Sequence, residues 1–219
     1  MPKVTVEHLN ARKAQIMEAA RACFGRKGFA GTTIQDICRE AGLSPGAIYR
    51  YFNSKSDIVF AIGDESREMV LGMIEEMKGR HTALEVLDFI GERFFGLLAE
   101  PAADPVMLVY PEVWAETLRN AEMREQAGRS MQGWRDALAA LIEKGQGEDI
   151  FGREIDPKAC AMVLIATFEG LQLQLARNPE LVDVRQFYDT MRGLIWREAW
   201  DQLSKGSQSQ QAGATQGKE

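Results

Sequence analysis

The sequence is poor in the residues on which metal proteins and most acid–base enzymes depend: 219 residues hold three cysteines and two histidines. Cys23, Cys38 and Cys160 are scattered, each within an apolar helical pattern, and neither His8 nor His81 stands at ligand spacing from them. Reduced, buried thiols are the favoured reading, with no metal site. A Glu-x-x-His pair, a nucleophile elbow and a phosphate loop are also missing. Gly145-Gln146-Gly147 lacks both a third glycine at dinucleotide spacing and a Lys-Ser/Thr pair. These absences weigh against a helical-bundle enzyme, so no catalytic residue and no cofactor are expected. No stretch reaches the length of a membrane span, and Met1 to Asn10 lacks a basic region followed by an apolar run. The expectation is a cytoplasmic protein with no membrane partner.

What is present is a core and an uneven charge. With 45% hydrophobic residues the chain can bury a sizeable core, as one domain or two. The net charge of −6 is divided: residues 1–60 carry 9 Lys and Arg against 5 Asp and Glu, and the remainder carries 17 against 27. A small basic head on an acidic body suits a protein that touches nucleic acid at one end. Repulsion of the body from the duplex then helps to hold the head in one orientation.

The head is organised around residues 32–55. Thr33 with Asp36, or Thr32 with Gln35, caps a helix running through Glu40, and Gly42 supplies its left-handed stop. Ser44 caps the next helix, with Pro45 at its first position. Ile34, Ile37, Ala41, Leu43, Ile48 and Phe52 fall where two crossed helices bury them against each other. That pattern is a helix-turn-helix. Its second helix, expected from Pro45 to Phe52, leaves Gly46, Ala47, Tyr49, Arg50 and Tyr51 outside. Small residues there bring the backbone close to base edges, while phenols and a guanidinium reach phosphate or guanine. Ser54 with Asp57 caps the helix that follows, so Lys55 and free N–H groups are expected to face a phosphate. The DNA-contacting set is therefore Thr32, Thr33, Ser44, Pro45, Gly46, Ala47, Tyr49, Arg50, Tyr51 and Lys55. An amphipathic helix from Leu9 to Lys27, ended by Gly28, braces the pair into a three-helix head.

Thr32-Thr33-Ile34, Ile37, Ala41-Gly42-Leu43-Ser44, Ile48-Tyr49-Arg50-Tyr51-Phe52 and Ser54-Lys55 together resemble the DNA-binding domain of the TetR family of bacterial transcriptional regulators. The strong likeness runs from Ala11 to Ile62; beyond it only the layout is similar. Arg50 departs from the family pattern, which often has a histidine between the two aromatics, so the bases read are not carried over. The resemblance implies that the long helix over residues 55–78 is a connector that moves when a ligand binds.

In the body, Thr82 with Glu85 caps a helix reaching Glu100. Asp104-Pro105 opens another, which Pro111 is expected to kink. A helix beyond Asn120 runs to Lys144, and one starting at Asp156-Pro157 is apolar nearly all round. Phe94, Met107, Tyr110, Trp114, Met131, Trp134 and Phe168 have the composition of an apolar pocket, which predicts a lipophilic or aromatic small-molecule effector. Glu112, Glu116 or Glu169, turned inward, would favour a cation. The helix from Asp156 and the last one, roughly Val184 to Leu203, each need covering on more than one face. They are expected to pair with their copies across a twofold axis.

The sequence thus predicts an all-α protein. Residues 1–54 form a helix-turn-helix DNA-binding head, residues 55–203 a helical bundle for ligand binding and dimerisation, and residues 204–219 a disordered tail. The matching function is a homodimeric repressor released by its effector from a palindromic double-stranded operator. The alternative is a DNA-binding protein of the same fold whose body docks a protein partner.

Overall fold

The computed structural model describes residues 6–77, 79–100 and 104–196. Among these residues the chain is helical, without a strand. The helices are α1 (Val6–Gly31), α2 (Ile34–Ala41), α3 (Pro45–Tyr49), α4 (Lys55–Met77), α5 (Ala83–Ala99), α6 (Tyr110–Thr117), α7 (Ala121–Gly147), α8 (Pro157–Arg177) and α9 (Val184–Ile195), with single 3-10 turns at Pro105–Leu108 and Pro179–Leu181.

Helix α1 carries a break at Gly28, whose φ of 70° and ψ of 175° only glycine adopts without strain. The chain then turns back, and Phe29 packs on Phe24 in the head core with Ile16, Ala20, Ile37, Ile48 and Phe52. That core does not stop at the head. Val106, Val109, Val113, Met123 and Ala127 belong to the same cluster, so the turn before α6, α6 itself and the start of α7 are packed directly onto it. Two further clusters fill the body, one between α4, α5, α7 and α8 and one between α5, α8 and α9.

The cap of α2 uses Thr33. Its Oγ1 accepts from the Asp36 N–H at 3.2 Å, and Asp36 Oδ2 accepts the Thr33 N–H at 3.0 Å. Lys27 also donates to Asp36, at 2.7 Å. The Lys27 hydrogen bond, reinforced by the Thr33 N–H and hydroxyl, holds the Asp36 carboxyl far below the ordinary carboxylate range. A depressed folded-state pKa gives stability that is fully present above about pH 4 and drains away below it. Asp36→Asn should therefore flatten the acid limb of the melting curve between pH 5 and 2, as followed by circular dichroism.

Three sequence expectations are corrected. Pro111 does not kink a helix interior: Val109 ends the Pro105–Leu108 turn and opens α6, so Pro111 lies in a first helical turn, where its missing N–H costs nothing. The recognition helix ends as α3 at Tyr49, although the N–H groups of Tyr51 and Phe52 still bond to the Ile48 carbonyl. Third, α8 has 21 residues and is apolar enough to cross a membrane by length and composition alone, with only 22% of its most apolar window buried. One side of it packs on α7. The other carries Met162, Val163 and Leu173, which are 59, 54 and 48% exposed. The expected end of the last helix, over residues 197–203, and the expected tail over residues 204–219 lie outside the described residues.

Candidate functional site

The head presents α3 on a capped frame. Gly42, at φ 64° and ψ 32°, ends α2, and the Leu43 N–H closes back onto the Cys38 carbonyl at 3.0 Å. Ser44 Oγ accepts the Ala47 N–H at 3.3 Å. With Ile48 fully buried and Phe52 nearly so, Pro45, Gly46, Tyr49 and Arg50 are left exposed, Tyr49 by 51%. Ala47 and Tyr51 are half-buried beside them. A Cβ placed on Gly46 would meet nothing within 4 Å, so this edge of α3 is open to a close-approaching partner.

Two residues of the expected contact set face elsewhere. Thr32 is 1% exposed, and its hydroxyl donates to the Gly28 carbonyl at 2.7 Å and lies 3.2 Å from that of Cys23. It repairs the break in α1 and leaves no exposed hydroxyl to offer a nucleic acid. Lys55 is also turned inward. Its Nζ donates to the carbonyls of Phe29 at 2.6 Å, Thr32 at 3.0 Å and Ala30 at 3.4 Å, and rests 4.4 Å above the Phe29 ring. Burial lowers its pKa, opposed by the charges of Glu116 and Glu112. Of the free N–H groups expected at the start of α4, that of Asp57 is taken by Ser54 Oγ at 3.1 Å, and Asp57 Oδ2 in turn accepts the N–H groups of Asn53 and Ser54 at 2.9 and 3.2 Å.

The signal that relocates Lys55 is the break at Gly28, which leaves carbonyls without helical partners 23 to 26 residues upstream. Lys55→Met should accordingly lower the unfolding midpoint in urea by an amount equivalent to about 1–3 kcal/mol. The salt slope of DNA binding should stay unchanged. A slope lower by one unit would return Lys55 to the phosphate contacts.

In the body, Phe94, Met107, Tyr110, Trp114, Met131, Trp134 and Phe168 come together around one cavity of about 170 Å³. Its walls are aromatic. Phe94 meets Trp134 and Phe168 edge to face at 5.2 and 5.7 Å, Phe95 stacks on Tyr188 at 4.6 Å, and Tyr110 stacks on Trp114 at 5.6 Å. The sequence pattern did not single out Leu87, Ile90, Gly91, Phe95, Leu138, Gln172 or Tyr188, which complete the wall. Gln172 had a partial signal, being one of two amides, with Gln174, in an apolar stretch. It is 2% exposed and donates to the Met107 carbonyl at 2.7 Å.

Burial also sets the electrostatics here. The Tyr110 and Tyr188 phenols are pushed far above their ordinary range, so both remain neutral, and Tyr188 Oη donates to Asp88 Oδ1 at 2.9 Å. The Glu169 carboxyl is raised by burial, with Arg135 pulling it back. Of the three glutamates considered, Glu169 alone lines the cavity. Glu112 instead accepts the Ala30 N–H at 3.0 Å and covers Gly28.

Cavity and head share elements. Gly63 and Ser66 of α4 line the cavity, and the Tyr110 hydroxyl lies against Gly63. Helix α6 shows Tyr110 and Trp114 to the cavity and Glu112 and Val113 to the head. Arg21 of α1 adds ion pairs to Asp104 at 2.9 Å and Glu65 at 3.1 Å.

Residues 16–62 match the family described as bacterial regulatory proteins, tetR family, and residues 95–198 match the BetI-type transcriptional repressor C-terminal region. The HTH-type transcriptional regulator YfiR of Bacillus subtilis (strain 168) is 32% identical over 151 residues, covering 67% of this chain and 72% of that protein. The HTH-type transcriptional regulator UidR of Escherichia coli (strain K12) is 30% identical over 184 residues, covering 84% and 90%. Among solved structures, FadR from Bacillus subtilis in complex with stearoyl-CoA superposes with a TM-score of 0.70 at 22% identity, covering 84% of this chain and 97% of that one. At that identity the likeness is one of fold.

Proposed function

Because the chain belongs to the TetR family of bacterial transcriptional regulators, we propose that it is a cytoplasmic homodimeric repressor, released from a palindromic operator by a small lipophilic or aromatic effector. The observation that carries this reading is the position of the cavity. Its wall includes α4 and α6, and both of these helices also pack on the head. A molecule wedged there cannot leave both unmoved, because the packed walls have little free volume to absorb a shift. Two heads on a twofold axis would place α3 of each protomer in successive major grooves, roughly 34–36 Å apart. Thr33, Tyr49 and Ser44 are assigned to positioning on the backbone, and Gly46, Ala47 and Arg50 to approaching bases.

Selection from a random duplex library should return a palindrome with half-sites about one helical turn apart. An asymmetric or absent consensus would overturn the assignment. An effector found by thermal shift should weaken operator binding by the factor with which operator weakens effector binding, since coupling is reciprocal. Equal effector affinity with and without operator would favour the other reading, a body that docks a protein.

The α6 contact to the head makes its own prediction. In Glu112→Ala the Ala30 N–H loses its acceptor, so effector affinity should stay within about twofold. The effector's influence on operator binding should shrink by a factor of about 5 or more. Fluorescence anisotropy of labelled operator at fixed effector reads both quantities; unchanged coupling would remove Glu112 from the route.

A further inference from the structure

Trp114 has a donor that the protein does not satisfy. The indole lines the cavity and stacks on Tyr110 at 5.6 Å and 22°, yet its Nε1–H is buried without an acceptor among the described residues. A buried unpaired donor is costly, and native structures keep one chiefly where something outside the chain completes it. Three other polar groups of the wall are committed: Ser66 Oγ to the Ile62 carbonyl, Gln172 Nε2 to the Met107 carbonyl and the Tyr188 hydroxyl to Asp88.

Charge narrows the ligand further. Among the described residues the cavity wall contains no lysine, arginine or histidine, and Glu169 is its one carboxyl. An anionic ligand would therefore enter without a counter-charge and beside a carboxylate. Size narrows it again. A cavity of about 170 Å³ is close to the 150 Å³ engineered cavity that takes up benzene, which suits one ring with a short substituent. Resting on the reading of this cavity as the effector site, we infer that the effector is a non-anionic, ring-containing molecule whose carbonyl or ether oxygen accepts the Trp114 Nε1–H hydrogen bond. Such an oxygen pulls on the indole of α6 itself, the helix whose Glu112 holds the head.

Three probes test this on the full-length protein: acetophenone, α-methylstyrene, in which a methylene replaces the ketone oxygen, and benzoate. Each is titrated while the indole N–H resonances are recorded, with that of Trp114 assigned by through-bond experiments and by its loss in Trp114→Phe. Acetophenone should bind about 5- to 30-fold more tightly than α-methylstyrene, the factor a net hydrogen bond supplies. It should shift the Trp114 resonance downfield and bind more tightly than benzoate. In Trp114→Phe the ketone and the hydrocarbon should bind alike. Equal binding of those two to the wild type, or an unmoved Trp114 resonance, overturns the inference while leaving the cavity a ligand site. Benzoate binding best overturns its non-anionic character. If none of the three binds, the cavity falls as the effector site and the inference with it. Should Trp114→Phe not fold, the wild-type comparison of ketone and hydrocarbon decides by itself.

Discussion

Gly46→Glu is expected to abolish operator binding while leaving the protein folded. Gly46 lies in the first turn of α3, exposed, and a Cβ there meets nothing within 4 Å, so the protein itself has no objection to a side chain. Replacing glycine near a helix start by glutamate is neutral or mildly favourable for folding, because it limits the unfolded chain and places a carboxylate at the positive end of the helix. On DNA the same side chain brings bulk and negative charge to the point where the backbone must approach base edges. Loss of at least about 100-fold in affinity follows, since a like charge is added where phosphates and bases converge. Circular dichroism melts should superimpose on the wild type while anisotropy titrations lose the specific complex. Wild-type affinity in the variant would mean that α3 does not enter the groove by this edge. Gly46→Ala separates the two contributions: a partial loss marks close approach, and no loss leaves charge as the whole effect.

Local signals in this chain were readable to the residue. Thr33 with Asp36, Ser44 with Pro45, Ser54 with Asp57, Thr82 with Glu85, Asp104 with Pro105 and Asp156 with Pro157 all cap elements in the structure, because a cap is decided by residues two to four apart. Thr33 and Thr32 were equal candidates in sequence. They separate only through the break at Gly28, whose orphaned carbonyl claims the Thr32 hydroxyl. Lys55 was misplaced for the same reason, since its three acceptors belong to a segment that periodicity shows as a plain helix end. In the body, aromatic and methionine composition marked seven residues that do meet around one cavity. Which neighbours close it depends largely on how α5 and α8 are rotated, and helices this apolar do not record that rotation in their pattern. The unpaired indole of Trp114 was beyond reach of sequence altogether, because the absence of an acceptor is a property of the whole surrounding wall.

For the proposed homodimer, the paired substitution Met162→Glu with Leu173→Glu should give a monomer and disable reading of a palindrome. Both side chains are about half exposed or more in the single chain, as is Val163. With the exposed Ala166 and Gly170 between them they form a stripe at three- and four-residue spacing along α8, opposite the side that carries Leu171, Gln172 and Leu175 into the core. A surface this apolar is not one that a monomer keeps in water, and small residues at its centre let a second α8 approach closely. The protomer should still fold, since neither side chain supports its own core. Two carboxylates per protomer, brought against two more across a twofold axis, would be buried without partners, a cost that a two-helix interface does not recover. In sedimentation at micromolar concentration the variant should run as a monomer with wild-type helix content. Each monomer then engages one half-site, and affinity for the full palindrome should fall by about 10²- to 10⁴-fold as the second contact ceases to be intramolecular. A variant that remains dimeric would move the interface elsewhere on the body. A monomer that binds the full operator as tightly as the wild type would show that one head suffices, and the twofold reading of the operator would have to be abandoned.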